Sequence, residues 1–97
     1  MESEWFEWDD EKACLNQFEH DVTFEEAETA FYDELGITWN DEEHSEVEDR
    51  LTLIGTSLWR RVLLVVYTER GQSDERVRYR IISARKATRA ERRAYES

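Results

Sequence analysis

The sequence predicts an α+β fold in which two N-terminal helices pack on an antiparallel meander of about four strands and a short helix closes the chain. Three observations predict it. Apolar residues recur at helical spacing before Gly36, period-two alternation follows it, and capping signals open each helical stretch. The 97 residues, 39% of them hydrophobic, suffice for a single domain over 1–97 with one modest core.

Trp5 to Trp8 is a short aromatic stretch suited to a sheet edge. Asp9 or Asp10 then caps a helix that runs to about Glu19. Along it, Cys14 and Phe18 fall four apart on the expected core face. Lys12, Asn16 and His20 form a polar stripe at i, i+4 and i+8, which is a candidate functional surface. Thr23 and Glu26 form a capping box, with Val22 and Ala27 as its hydrophobic staple. The helix they open carries Phe24, Ala27, Phe31 and Leu35 at helical spacing, and Gly36 is placed to end it in a left-handed conformation. Glu25, Glu26, Glu28 and Asp33 are expected on its solvated outer face.

Strand character begins at Ile37, Thr38 and Trp39. The acidic stretch Asn40 to Asp49 follows, with Asp41, Glu42 and Glu43 as its loop tip, and then a second strand from Leu51 to Ile54. Gly55 to Arg61 reads as a connection. Val62 opens five consecutive apolar residues in a strand that runs to Arg70, the pattern of a central strand covered on both faces. Gly71 to Glu75 supplies a hairpin loop. Arg76 to Arg85 returns with Val77, Tyr79 and Ile81 alternating against Arg76, Arg78 and Arg80, so that one face is core and the other cationic. Thr88 and Glu91 make a second capping box, for a helix from Arg89 to Glu96 that is too short to be stable without docking on the domain or on a partner chain.

Composition narrows the function. No apolar run approaches the roughly 20 residues that cross a bilayer, and MESEWFEWDDEK lacks a signal-peptide pattern, so a cytoplasmic protein without membrane contact is expected. Cys14 is the lone cysteine; with His20 and His44 as the other soft ligands, neither a disulfide nor a metal site is expected. Glycine-rich phosphate loops, GxSxG elbows, HExxH pairs and calcium loops are all missing, and no cofactor is expected. The net charge of −11 is unevenly spread: residues 1–50 hold 19 acidic and 2 basic side chains, net −17, whereas residues 51–97 hold 5 and 11, net +6. Screening acts over about 8 Å at physiological salt, so a basic surface can attract phosphate while an acidic one lies across the domain.

The late arginines suit phosphodiester chemistry. Metal-independent RNA cleavage needs a group to take the proton of the ribose 2′-hydroxyl, one to protonate the leaving oxygen, and charge to stabilise the extra negative phosphate. Arg70, Arg80 and Arg85 meet the last need, because guanidinium forks hold phosphate oxygens bidentately and stay charged. Glu69 is the candidate proton acceptor, and Tyr67 a donor or base-stacking platform. Arg78, Lys86, Lys12 and His20 complete the candidate RNA contacts. Each has a structural alternative: Glu69 as the cross-strand partner of Arg78 or Arg80, Tyr67 as a core aromatic, and His20 as a helix C-terminal cap. Trp5, Trp8, Trp39 and Trp59 read as core or interface anchors.

The segments FEWDDEKACLNQFEHDVTFEEAETAF, EDRLTLIGTS, LLVVYTERG and RIISARKATRAERRAYE, in that order, resemble the BrnT toxin family along nearly the whole chain. The resemblance implies a fold like that of the RelE and ParE toxins and a ribonuclease that stops translation. It also implies a BrnA antitoxin of the ribbon-helix-helix class, through which the complex contacts DNA and represses its own operon. Basic residues of the last two strands carry toxicity in that family, which corresponds here to Arg70, Arg80 and Arg85, with Glu69 beside them. Two departures stand out: Glu19 and Asp21 flank His20 where the family commonly has lysine and glycine, and Tyr67 stands where members often have histidine. A competing expectation is a non-catalytic protein that docks the antitoxin within an autorepressor complex, the acidic half drawing a basic partner. Homodimerisation within such a complex is expected from the four tryptophans. Catalysis requires the late strands to gather their guanidinium groups in one place, beyond the carboxylates of the early helices.

Overall fold

The structure, a computed structural model, describes residues 5–40, 49–71 and 77–97. A two-residue strand, β1 (Phe6–Glu7), leads into helices α1 (Asp10–His20) and α2 (Phe24–Ala30). Strands β2 (Ile37–Asn40), β3 (Arg50–Thr56), β4 (Val62–Gly71) and β5 (Val77–Lys86) follow, then helix α3 (Arg89–Glu96). The sheet order is β1-β5-β4-β3-β2, so β4, with its apolar run, is the middle strand. β2 to β5 form the expected antiparallel meander. The sheet nevertheless has five strands and is mixed, because β1 pairs parallel to β5 with Phe6 opposite Tyr79 and Glu7 opposite Arg80. A parallel partner needs a long crossover, and here the helices and the other strands supply it. The expected loop tip at Asp41, Glu42 and Glu43, together with His44 and the hairpin loop beyond Gly71, lies outside the described residues.

Helices α1 and α2 cover one face of the sheet, where Phe24, Ala27, Leu63, Val65 and Ile81 form the driest part of the core. Asp9 caps α1, its carboxylate accepting from the Glu11 and Lys12 amides at 2.8 and 3.2 Å. The helix then docks by a different side from the one expected. Cys14 is exposed, Phe18 is 87% exposed, and Asn16, from the expected polar stripe, is buried. Backbone pairing explains the difference. β1 pairs with β5 only at Tyr79 and Arg80, which leaves the outward backbone of Ala84 to find partners elsewhere. Asn16 provides both: its Nδ2 donates to the Ala84 carbonyl at 2.8 Å and its Oδ1 accepts from the Ala84 amide at 3.0 Å, while Nδ2 also donates to the Val22 carbonyl at 3.0 Å. An apolar side chain there would take a partner from three backbone groups, the Ala84 amide and the Ala84 and Val22 carbonyls.

α2 also departs from expectation. Thr23 Oγ1 accepts from the Glu26 amide at 3.0 Å, but the Glu26 side chain does not return to the cap and is buried instead of solvated. It accepts from Ser57 Oγ at 2.7 Å and Arg61 Nε at 2.9 Å, and its second oxygen takes the other arm of the Arg61 fork. Burial pushes this carboxyl up; the bonds from Arg61 and Ser57 outweigh it and hold the group below the usual carboxylate range. The turn before β4 is thereby clamped to α2. The helix ends at Ala30, well short of Gly36, and Gly36 is not left-handed. Its small size serves packing, since a Cβ there would stand 3.1 Å from the Asp33 carbonyl and from Leu53 Cδ1. Gly55 is tighter still: an added Cβ would meet the Ala30 carbonyl at 2.8 Å.

α3 crosses the opposite face of the sheet and docks on the domain, as its length requires. Its capping box is complete, with the Glu91 amide donating to Thr88 Oγ1 at 3.1 Å and the Thr88 amide to Glu91 Oε1 at 2.8 Å. Arg85 donates both arms of its fork to Glu91 at 2.8 and 2.9 Å. The Tyr95 hydroxyl donates to Asp33 and lies 2.9 Å from Thr56 Oγ1, and Asp33 also accepts from the Thr56 amide at 2.8 Å. One carboxylate therefore joins the end of α2, the end of β3 and the last helix.

Two outcomes follow for stability. Glu26→Ala removes the acceptor shared by the Arg61 fork and the buried Ser57 hydroxyl and should cost about 2 kcal/mol in chemical denaturation; a loss below about 0.5 kcal/mol would mean that the clamp is dispensable. The bonds from Arg85, opposed by burial and reinforced by the Thr88 amide, hold the Glu91 carboxyl down to about 2. A folded-state pKa below the ordinary 4.5 stabilises fully above that value and loses the contribution as pH falls toward 2. Acid titration should therefore release α3 between those limits, read as a fall in helical circular dichroism, and Glu91→Gln should remove the pH-dependent part.

Candidate functional site

Strand register decides which side chains meet. Arg50 of β3 lies opposite Thr68 of β4, Thr68 opposite Arg80 of β5, and Arg80 opposite Glu7 of β1. Residues opposite one another share a face. These four therefore form a row across four strands, on the side away from α1 and α2. Arg70 and Arg78, a further pair, project from the same side. A single bulge in β5 makes this possible: Val66 pairs with Ser83 and Tyr67 with Ile81, so Ile82 is the extra residue. Without it, Arg78 and Arg80 would share the side of Ala84 and point into the core.

The carboxylate of Glu7 sits among these arginines. Arg80 Nη1 donates to its Oε2 at 2.8 Å, Arg70 Nε is 3.8 Å from the same oxygen, and Arg78 Nε is 3.7 Å from Oε1. Only the first is a hydrogen-bond distance. Arg78 also donates to the Phe6 carbonyl at 3.3 Å. Between Arg50 and Arg80 in the row, Thr68 is 3% exposed and its hydroxyl makes no hydrogen bond among the described residues. The structure thus brings together Arg70, Arg78 and Arg80. It places Arg85 on the same side of the sheet, engaged by Glu91.

Glu69 and Tyr67 point to the other side. Glu69 is opposite Tyr79, and among the described residues it forms no ion pair with Arg78 or Arg80; Glu7 takes that place. On this side a cleft of about 560 Å³ is lined by Trp5, Phe31, Tyr32, Tyr67 and Tyr79, with Asp33 and Glu69 as its carboxylates. Tyr67 is buried, edge-on to Phe31 at 4.9 Å and to Tyr79 at 5.7 Å. Burial, then the negative charge of Glu69 and the neighbouring Tyr79, push its phenol up to about 12. At neutral pH it can donate a proton in a hydrogen bond but cannot act as a base. Glu69, near the end of β4, also borders a groove formed with Asp49, Thr68, Arg70 and Gly71.

Lys12 and His20 are exposed on α1, and Lys86 lies opposite Leu63 on the helix-covered side; none joins the arginine cluster. Glu7, Arg50 and Thr68 are the members that the sequence did not single out. Thr68 could have been found, since alternation places it beside Arg70 and Arg80 once the β4–β5 pairing is drawn. Glu7 could not, because its place depends on a parallel pairing more than 70 residues away. Among the described residues, no helix is long and apolar enough to cross a membrane.

The family model describing the ribonuclease toxin BrnT of type II toxin-antitoxin systems matches residues 8–91. No curated protein matches the chain. The matched residues run from Trp8 to Glu91 and include Thr68 and every arginine of the cluster. The chain belongs to the BrnT family of ribonuclease toxins, whose type II systems pair each toxin with an antitoxin.

Proposed function

We propose that the chain acts as a single toxin domain in the cytoplasm, an endoribonuclease that works without a metal and stops translation. The observation that carries this is the gathering of Arg70, Arg78 and Arg80 on a sheet face left open beside α3. Family membership supports the same reaction class, and a fold like that of the RelE and ParE toxins is part of the proposal.

Cleavage begins when the ribose 2′-hydroxyl attacks the adjacent phosphorus, which gathers negative charge before the 5′-oxygen leaves. Arg70 and Arg80 hold the non-bridging oxygens with forks that stay cationic throughout, and Arg78 adds a third positive charge. Glu69, near the end of β4, accepts the 2′-hydroxyl proton, and water protonates the departing 5′-oxygen, leaving a 2′,3′-cyclic phosphate. The exposed rings of Trp5 and Tyr32 on the cleft offer stacking faces for the flanking bases, with Tyr67 as the floor beneath them. Arg85 enters this scheme through Glu91, as the tether that keeps α3 beside the face. Lys12, His20 and Lys86 lie too far round the molecule to touch the same phosphate and would contact a longer RNA.

The antitoxin of this proposal is a BrnA-like ribbon-helix-helix protein, and DNA is reached through it. Leu15 and Phe18 are exposed on α1, where Glu11 and Glu19 are also exposed, an apolar strip with acidic neighbours that complements a basic amphipathic segment. Homodimerisation within the complex remains part of the proposal. A second reading, a non-catalytic antitoxin-binding protein within an autorepressor complex, is favoured by one observation: Glu7 and Glu91 already engage the arginines.

Purified protein should cleave single-stranded RNA in the presence of a chelator. Arg70→Ala or Arg80→Ala should lower the rate about 100-fold, the usual effect of losing one charge-stabilising donor. Glu69→Gln should lower it with little change in RNA affinity. Wild-type rates in the arginine variants would remove these assignments. A wild-type protein that neither cuts RNA nor arrests growth, yet binds the antitoxin, would establish the second reading.

A further inference from the structure

The arginine cluster holds a feature that a phosphate site alone does not explain: a carboxylate already seated in it. The Glu7 side chain is 18% exposed, bonded to Arg80 at 2.8 Å and within 3.8 Å of Arg70 and Arg78. One cation satisfies a structural ion pair, and such pairs at a surface contribute little. Bringing three guanidinium groups to one carboxylate places like charges side by side, which suits a site built to hold an incoming anion. A carboxylate and a phosphodiester offer guanidinium forks the same partner, two terminal oxygens sharing one negative charge. In the adjacent strand Thr68, directly opposite Arg80, carries a buried hydroxyl with no hydrogen-bond partner among the described residues. Buried hydroxyls are normally satisfied. A donor there offers the larger phosphate group a bond that Glu7 does not use.

We propose that Glu7 is the resident occupant of a phosphate subsite formed by Arg70, Arg80 and Thr68, and that an RNA phosphodiester displaces it. The proposal rests on RNA being the ligand of this face. Exchange requires the Glu7 side chain to rotate away and the cover over the Thr68 hydroxyl to open. The backbone of β1 is held independently, by the Tyr79 amide donating to the Trp5 carbonyl at 2.8 Å and by the buried rings of Phe6 and Trp8 on either side. Glu7 thus competes with RNA inside the protein itself and restrains it at rest.

The test is binding of a 2′-O-methyl RNA oligonucleotide, which cannot be cut, to the full chain and its Glu7→Gln variant at several salt concentrations. Glu7→Gln should bind about tenfold more tightly, the worth of one additional charge-assisted hydrogen bond to the RNA. Its log–log salt dependence should be steeper by about 0.7, the increment for one more neutralised phosphate of a single strand. In an Arg80→Ala background the same substitution should have a much smaller effect. Equal or weaker binding by Glu7→Gln, with an unchanged melting temperature, would overturn the proposal and leave Glu7 a structural ion pair. Should the variant melt lower, the wild type decides: the carbon resonance of the Glu7 carboxylate should shift as the oligonucleotide is added, and a resonance that does not move overturns the proposal. Tighter binding by the variant together with no RNA cleavage by the wild type would retain the subsite and reject the nuclease. Cleavage by the wild type with no effect of Glu7→Gln on binding would do the reverse.

Discussion

The backbone of β5 has two edges, and the one turned away from β4 governs much of the molecule. Left bare, it would present a row of unpaired amides and carbonyls, a costly and adhesive surface. Two unrelated pieces of the N-terminal segment cover it. β1 takes the stretch around Tyr79 and Arg80, and the Asn16 amide takes Ala84. The first brings Glu7 to the arginines, and the second sets the rotation of α1. Because Asn16 must face inward, Phe18 and Leu15 turn outward, and the exposed apolar strip on α1 is a by-product of satisfying one strand.

The uneven charge of the chain acquires a spatial meaning in this arrangement. The acidic first half supplies the helices on one side of the sheet, and the basic second half supplies the arginines on the other. Among the described residues, three acids break the pattern by accepting a hydrogen bond from a guanidinium: Glu26 from Arg61, Glu91 from Arg85 and Glu7 from Arg80. The first two hold elements together, a turn to α2 and α3 to the sheet. Glu7 joins elements that backbone bonds and buried rings already hold, which marks it as different in kind.

Much of the fold was legible because its signals are local. Alternation over Val77 to Arg80 announced a cationic strand face, the apolar run from Val62 to Val66 a middle strand, and the Thr88–Glu91 box the last helix. The misreadings share a cause: a residue whose local pattern points one way is claimed by a partner distant in sequence. Glu26 fits a capping box and a solvated face, yet Ser57 and Arg61 bury it. Asn16 belongs to a polar stripe, yet β5 draws it inward. Gly36 looks like a helix terminator, but the packing of Leu53 and Asp33 requires its lack of a side chain. The candidate site was half legible for the same reason. Arg70, Arg78 and Arg80 lie on strands adjacent in sequence, whereas the acid that meets them comes from the other end of the chain.

The bulge at Ile82 shows how the arginine face is encoded. The odd spacing from Arg80 to Arg85 would put them on opposite faces under strict alternation, and they share one only because the bulge leaves Ile82 out of it. Spacing therefore carries information that residue identity does not. Loss of the Ile82 codon would restore regular alternation and leave every guanidinium on its present face, whereas flattening the bulge with Ile82 retained would drive Arg78 and Arg80 against Tyr67 and Phe31. Among related chains, an odd spacing between these arginines should therefore go with a bulge and an even one with a regular strand, and either combination marks a working face.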